Sequence, residues 1–169
     1  MHWAETVLTA LKEQQVRLMV YVPDNMLIPL INGAQADSHW TAFTATREEE
    51  AIGIACGADM GGMRAVVLMQ SSGFGNTLNV LASLAVPYQL PLLMFISERG
   101  VLGEYNSVQV PITRTIRPAL DALGIPHATL ARDDEVVFLA GRMARQCFQT
   151  RTPTALILSP LLTGGKTDG

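Results

Sequence analysis

Arg64-Ala65-Val66-Val67-Leu68-Met69-Gln70 is the stretch whose reading decides the fold. Its central positions are apolar without interruption, so it lacks the polar alternation of a strand that keeps one face in water, and both faces must be covered. Leu92-Leu93-Met94-Phe95-Ile96-Ser97 repeats the pattern, and Thr154–Ser159 repeats it again after Pro153. Strands of this kind belong to a parallel sheet sandwiched between helices. Immediately upstream, Arg47–Met60 opens with the acids Glu48-Glu49-Glu50 and continues through Ala51-Ile52-Gly53-Ile54-Ala55-Cys56-Gly57, a helix with no charged outer face that Gly61-Gly62 closes. Immediately downstream, Ser71-Ser72-Gly73-Phe74-Gly75-Asn76 is a tight, side-chain-poor loop opening a further helix over Asn76–Ala85, which Pro87 and Pro91 end.

The remaining chain keeps the same alternation. Ala4–Gln15 has Val7, Leu8 and Leu11 on one face and Glu5, Lys12 and Glu13 on another, and a short strand Arg17–Val22 follows. Pro23-Asp24-Asn25 is a turn whose acid and amide can cap the helix Met26–Gly33, where Pro29 falls early enough to be tolerated. Trp40–Ala45 alternates as a strand. Glu98–Gln109 is too long for an ordinary connection and is a candidate active-site or interface loop. Pro111–Leu123 is helical in pattern, His127–Leu130 a weak strand, and Asp133–Thr150 a long helix behind an acidic cap. The expectation is one doubly wound α/β domain over residues 1–162, with a mostly parallel sheet, helices on both faces and a disordered tail at 163–169.

Twelve Lys+Arg against fifteen Asp+Glu give a net charge of −3, which offers no basic surplus for nucleic acid or an anionic membrane. Apolar residues make up 49% of the chain, yet their runs fall short of a bilayer span. The opening Met1-His2-Trp3-Ala4-Glu5 has neither the basic nor the apolar part of a signal peptide, and the two cysteines, Cys56 and Cys147, lie inside helical patterns. A reduced, cytoplasmic protein is expected.

Taken singly, the motifs are ambiguous. Gly73-Phe74-Gly75 serves equally as a ligand-free strand-to-helix turn, and Leu78 stands where a dinucleotide fingerprint would have its third glycine. Acids in a helix's first turn are ordinarily a solvated structural feature. The apolar helix behind Glu48 changes the balance, because a chain of 169 residues can hardly cover it on every side, and self-association through the Glu48–Met60 helix is expected. His2, His39 and His127 show no pairing with a nucleophile.

In combination these residues are more specific. Arg47-Glu48, Gly57 and Gly73 in Ser-Ser-Gly-Phe-Gly-Asn, together with the turn Val22-Pro23-Asp24-Asn25, resemble the pyrimidine-binding (PYR) domain of thiamin diphosphate-dependent 2-oxo acid decarboxylases. Met69–Asn79 and Asp121–Pro126 are similar to stretches of the phosphonopyruvate and sulfopyruvate decarboxylases, and a stand-alone chain of this length resembles an α subunit of the latter kind.

The resemblance implies a set of roles. A Glu contacts ring nitrogen N1′ of the cofactor's aminopyrimidine, a hydrogen bond that a partly desolvated carboxyl suits; Glu48 is its candidate, with Glu49 one residue away as the alternative. Pro23, Gly73, Phe74, Gly75 and Asn76 would line the pyrimidine. Asn25, Gln70, Arg99 and Gln109 would meet the substrate, with Arg114 a weaker candidate for its second anionic group and Asn25 equally a simple helix cap. The family's Gly-Asp-Gly with a downstream Asn, which holds Mg²⁺ on the diphosphate, does not occur here. A diphosphate-binding β subunit is therefore expected to supply the metal and phosphate half of the site. The competing expectation is a non-catalytic α/β module in which the acid triplet only starts a helix.

Overall fold

A computed structural model describes residues 3–165. His2 and positions 166–169 of the expected tail lie outside the described residues, while Thr163 closes a short helix. Six strands form one all-parallel sheet: β1 (Val16–Tyr21), β2 (Thr41–Thr44), β3 (Arg64–Gln70), β4 (Leu93–Ser97), β5 (His127–Leu130) and β6 (Thr154–Leu158), in the order β2-β1-β3-β4-β6-β5. The two edges, β2 and β5, are the shortest strands, which limits the unpaired backbone that an edge presents.

The uninterrupted apolar runs occupy the centre, and period-two geometry divides them between two helical layers. Met19, Tyr21, Val66, Leu68, Leu93, Phe95, Leu156 and Leu158 face α1 (Trp3–Glu13), α2 (Ile28–Gln35) and α7 (Val136–Thr150). Val20, Val67, Met69, Met94, Ile96 and Ile157 face α3 (Glu48–Met60) and α6 (Gln109–Ala122). The remaining short helices are α4 (Ser71–Asn76), α5 (Leu78–Val80) and α8 (Pro160–Thr163). From β1 the chain turns outward to β2 and then returns to β3 on β1's other side. The carboxyl ends of β1 and β3 thus flank a topological switch point, the place where open α/β sheets bind ligands.

Several boundaries differ from the sequence expectation. Ser71–Asn76 is not a loop but a helical turn, α4, and neither Gly73 nor Gly75 has positive φ. The expected helix over Asn76–Ala85 is divided: Thr77 breaks it, with its hydroxyl donating to the Phe74 carbonyl at 2.7 Å, and Leu81–Ala85 is a π-helix. Helix α6 begins at Gln109 rather than Pro111, and Asp133–Glu135 is a 3₁₀ turn ahead of α7.

Phe95 lies fully buried in central strand β4, so Phe95→Ala is expected to cost about 3–5 kcal/mol, read as a lowered midpoint in urea unfolding at unchanged slope.

Candidate active site

The acids at the start of α3 divide into three environments. Glu50 turns back to accept the Thr46 N–H at 2.7 Å and so satisfies a backbone donor that precedes the helix. Glu49 Oε1 lies 3.3 Å from Arg47 Nη1, while its Oε2 is buried without a hydrogen-bond partner. Glu48 reaches neither; its side chain lies against the backbone of Gly73. A Cβ at position 73 would fall 2.5 Å from Glu48 Cγ and overlap the carboxyl. The carboxyl is half-buried and has no hydrogen bond or ion pair among the described residues.

The glycines of α4 therefore serve close approach rather than a turn. Gly73 admits Glu48, and a Cβ on Gly75 would stand 2.8 Å from Ile112 Cδ1 of α6. Phe74 points into the core, 1% exposed, and Asn76 is exposed at the end of α4. Pro23 is exposed in the turn after β1. It is Asp24 that caps the following 3₁₀ turn, accepting the Met26 N–H at 3.1 Å, while Asn25 is exposed.

The sequence marks Asp24 as a cap, and the structure gives its carboxylate two further partners. Its Oδ1 accepts Gln70 Nε2 at 2.7 Å and its Oδ2 accepts the Ser97 hydroxyl at 2.8 Å. A single carboxylate thus ties together the ends of β1, β3 and β4, where Gln70 and Ser97 are register partners. Nothing in a one-dimensional pattern brings positions 24, 70 and 97 together; the strand order does.

Arg99 sits just beyond β4, 8% exposed, with its guanidinium forked onto Glu104: Nε to Oε2 at 2.7 Å and Nη2 to Oε1 at 3.0 Å. Glu104 also accepts the N–H groups of Gly100 and Asn106, so the segment after β4 folds back on this pair. The Arg99 N–H donates to Ser71 Oγ at 3.2 Å and its carbonyl accepts the Thr113 hydroxyl, which joins the segment to α4 and α6. A cavity of about 200 Å³ lies beside it, lined by residues of 98–104 with Pro160 and Leu161. Gln109 stands at the start of α6 with a buried, unpartnered Oε1, and its carbonyl carbon is 2.6 Å from where a Cβ on Gly100 would be. Arg114 is exposed on α6.

Burial pushes the Cys56 thiol up to about 11 and the Cys147 thiol up to about 12, so neither is a nucleophile at neutral pH. What the site offers is a carboxyl over a bare backbone turn, and beside it a set of oriented amide, hydroxyl and guanidinium groups.

Residues 1–112 match the family model of the thiamine pyrophosphate enzyme, N-terminal TPP binding domain. The chain belongs to this family. Among its relatives is the sulfopyruvate decarboxylase subunit alpha of Methanococcus maripaludis, 33% identical over 161 residues that make up 95% of this chain and 96% of that protein. The sulfopyruvate decarboxylase subunit alpha of Methanothermobacter thermautotrophicus is 36% identical over 92% of this chain and 94% of its own. A phosphonopyruvate decarboxylase of Streptomyces viridochromogenes is 39% identical over 88 residues, 52% of this chain and 22% of that one. Among solved structures, 2-oxoglutarate:ferredoxin oxidoreductase from Magnetococcus marinus superposes with a TM-score of 0.73 at 10% identity, over 96% of this chain and 29% of that longer one. At that identity the likeness is one of fold, and it agrees with the parallel sheet and its flanking helices.

Gly73→Ala is expected to leave the far-ultraviolet circular dichroism unchanged, since α4 is helical there already, and to displace the Glu48 carboxyl by about 1 Å or more. The displacement is read by comparing crystal structures of the variant and the wild type.

The Arg99–Glu104 pair gives a second expectation. Arg99's hydrogen bonds, opposed by burial and aided by the N–H groups of Asn106 and Gly100, hold the Glu104 carboxyl at about 2, below its ordinary 4.5. A folded-state value below the unfolded one means the stabilisation is complete above about pH 4.5 and is lost as pH falls toward 2. Unfolding free energy measured across that window will fall more steeply in the wild type than in Glu104→Gln.

Proposed function

We propose that this chain is the pyrimidine-binding α subunit of a two-subunit thiamin diphosphate-dependent decarboxylase that converts sulfopyruvate to sulfoacetaldehyde and CO₂. The family match and the relatives named as α subunits, aligned over nearly their whole length, support this reading. The structural observation that carries it is the unpartnered Glu48 carboxyl laid on Gly73, a group held in place with its hydrogen-bonding capacity unspent. Glu50 is engaged by the Thr46 N–H and one oxygen of Glu49 by Arg47, whereas neither oxygen of Glu48 is engaged among the described residues, which favours Glu48 over its neighbour.

The residues present fit the pyrimidine half of the cofactor. Glu48 would face ring nitrogen N1′, with Pro23 and the turn from Gly73 to Asn76 bordering the same surface. When bound, the cofactor supplies the electron sink that decarboxylation of a 2-oxo acid needs. The chain's own residues would bind and orient: Glu48 would hydrogen-bond the aminopyrimidine, while Asn25, Gln70, Arg99 and Gln109 would border the substrate. Arg99 is already paired with Glu104, so meeting the substrate's second anionic group would require it to exchange one carboxylate for another anion.

The diphosphate and Mg²⁺ are assigned to a β subunit, since the sequence lacks Gly-Asp-Gly with a downstream Asn. Self-association is assigned to α3. Its inner face buries Ala51, Ile52, Ala55 and Cys56, while Gly53 and Gly57 are exposed with nothing within 4 Å of a Cβ position, a surface that admits close helix approach. No helix among the described residues is long and apolar enough to cross a membrane. The cytoplasm, and coenzyme M biosynthesis, are the setting this reading gives. Phosphonopyruvate is the second substrate to test, because the Streptomyces relative aligns with half of this chain.

The test is CO₂ release from sulfopyruvate and from phosphonopyruvate by this chain assembled with a diphosphate-binding partner. Glu48→Gln is expected to lower turnover by at least about 100-fold, the scale of a lost proton-handling group, with Glu49→Gln retaining most of it. Full activity in both variants would overturn the catalytic reading, and loss in Glu49→Gln alone would move the role by one residue.

A further inference from the structure

Gln70 ends β3 half-buried at the switch point, and its amide is tied at both ends. Nε2 donates to Asp24 Oδ1 at 2.7 Å, and Oε1 accepts the Ser72 hydroxyl at 2.5 Å. A carboxylate can only accept, so the side of the amide that faces Asp24 must be the nitrogen. With one Nε2 hydrogen spent on Asp24, a single amide hydrogen remains to meet another oxygen.

The rest of Asp24 is arranged so that this direction is fixed. Its Oδ2 takes the Met26 N–H at 3.1 Å and the Ser97 hydroxyl at 2.8 Å, which anchors the carboxylate to the 3₁₀ turn and to the end of β4. Capping alone would be served equally by Ser or Asn. Only an acceptor at position 24 holds the Gln70 nitrogen on that side; an amide there could present its own nitrogen, and Gln70 would turn over with its oxygen in the nitrogen's place.

We propose that Asp24 is a positioning residue that orients Gln70, so that the remaining Nε2 hydrogen is donated to the carboxylate or carbonyl oxygen of the bound 2-oxo acid. The inference rests on the reading of the chain as a decarboxylase subunit. It concerns the hydrogen-bond donor that the substrate meets rather than the carboxyl that meets the cofactor.

The experiment compares Asp24→Asn, Gln70→Ala and the double variant in the assembled two-subunit enzyme, with sulfopyruvate as the probe and Glu48→Gln as the control for the decarboxylase reading. Asp24→Asn is expected to raise KM by about tenfold, the worth of one hydrogen bond at the upper end of the neutral range, with thiamin diphosphate affinity and melting temperature nearly unchanged. In the Gln70→Ala background the same substitution is expected to have almost no further effect, because the group through which Asp24 acts is gone. Equal losses in both backgrounds, or a fall in melting temperature that accounts for the loss, would overturn the proposal and leave Asp24 a structural cap.

A second measurement does not depend on turnover. With glutamine side chains ¹⁵N-labelled in this subunit of the complex, one Gln70 amide proton is expected to exchange slowly and the other rapidly, and Asp24→Ala should make both rapid. Two rapidly exchanging protons in the wild type would overturn the proposal whatever the substrate proves to be. A slow proton together with no turnover of either oxo acid would sustain the orientation of Gln70 and overturn its assignment to this substrate.

Discussion

Glu48 begins the helix after edge strand β2, and Gly73 lies in the helix after central strand β3; they meet because nothing stands between a carboxyl and a bare backbone. That contact is a steric constraint before it is a chemical one. Any Cβ at position 73 would occupy the carboxyl's volume, so the position of α3's first turn relative to α4 depends on a hydrogen atom where other residues carry a side chain. The same economy recurs at Gly75 against Ile112 and at Gly100 against Gln109, where φ is also positive at +75°. Three close approaches thus pack α4, α6 and the segment after β4 into a tight rim around the carboxyl ends of the strands.

Charge at this rim is concentrated in pairs. Arg99 and Glu104 satisfy one another with side chains 10% and 6% exposed, and Glu98, buried beside them, accepts Arg117 at 2.6 Å. An ionised group this far from water is costly unless paired, which explains why the residues after β4 fold back instead of forming an open loop. Asp24 is satisfied differently, by neutral donors from two strands and a turn. Glu48 stands apart from both arrangements. A carboxyl with neither oxygen partnered is the kind of capacity a ligand would use.

Helix α3 joins this rim to the surface proposed for self-association. Its inner face completes the core with Ile52 and Cys56, its outer face exposes Gly53 and Gly57, and its first turn carries Glu48. A second chain seated on the outer face would take the same helix end out of water, so assembly and the environment of the carboxyl would change together.

Much of the architecture was legible in the residues themselves. Uninterrupted apolar runs at Arg64–Gln70 and Leu93–Ser97 required a covered parallel sheet, and the hydrophobic period placed α1 and α7. The acid triplet and the Gly-Phe-Gly turn marked the region where Glu48 meets Gly73. Less legible were features that depend on which strands are neighbours. The sequence shows three adjacent glutamates alike, and only the packing separates a cap, an ion pair and a free carboxyl. It shows Gly73 as turn-forming, whereas the tertiary structure uses it for proximity within a helix. It places Asp24, Gln70 and Ser97 in three unrelated segments, because hydrophobic period encodes the faces of strands and not their order. The sheet order, set by the crossover from β1 out to β2 and back to β3, is what brings them together. The chain by itself determined what must be buried; which polar groups meet where the burial ends was decided only by the fold.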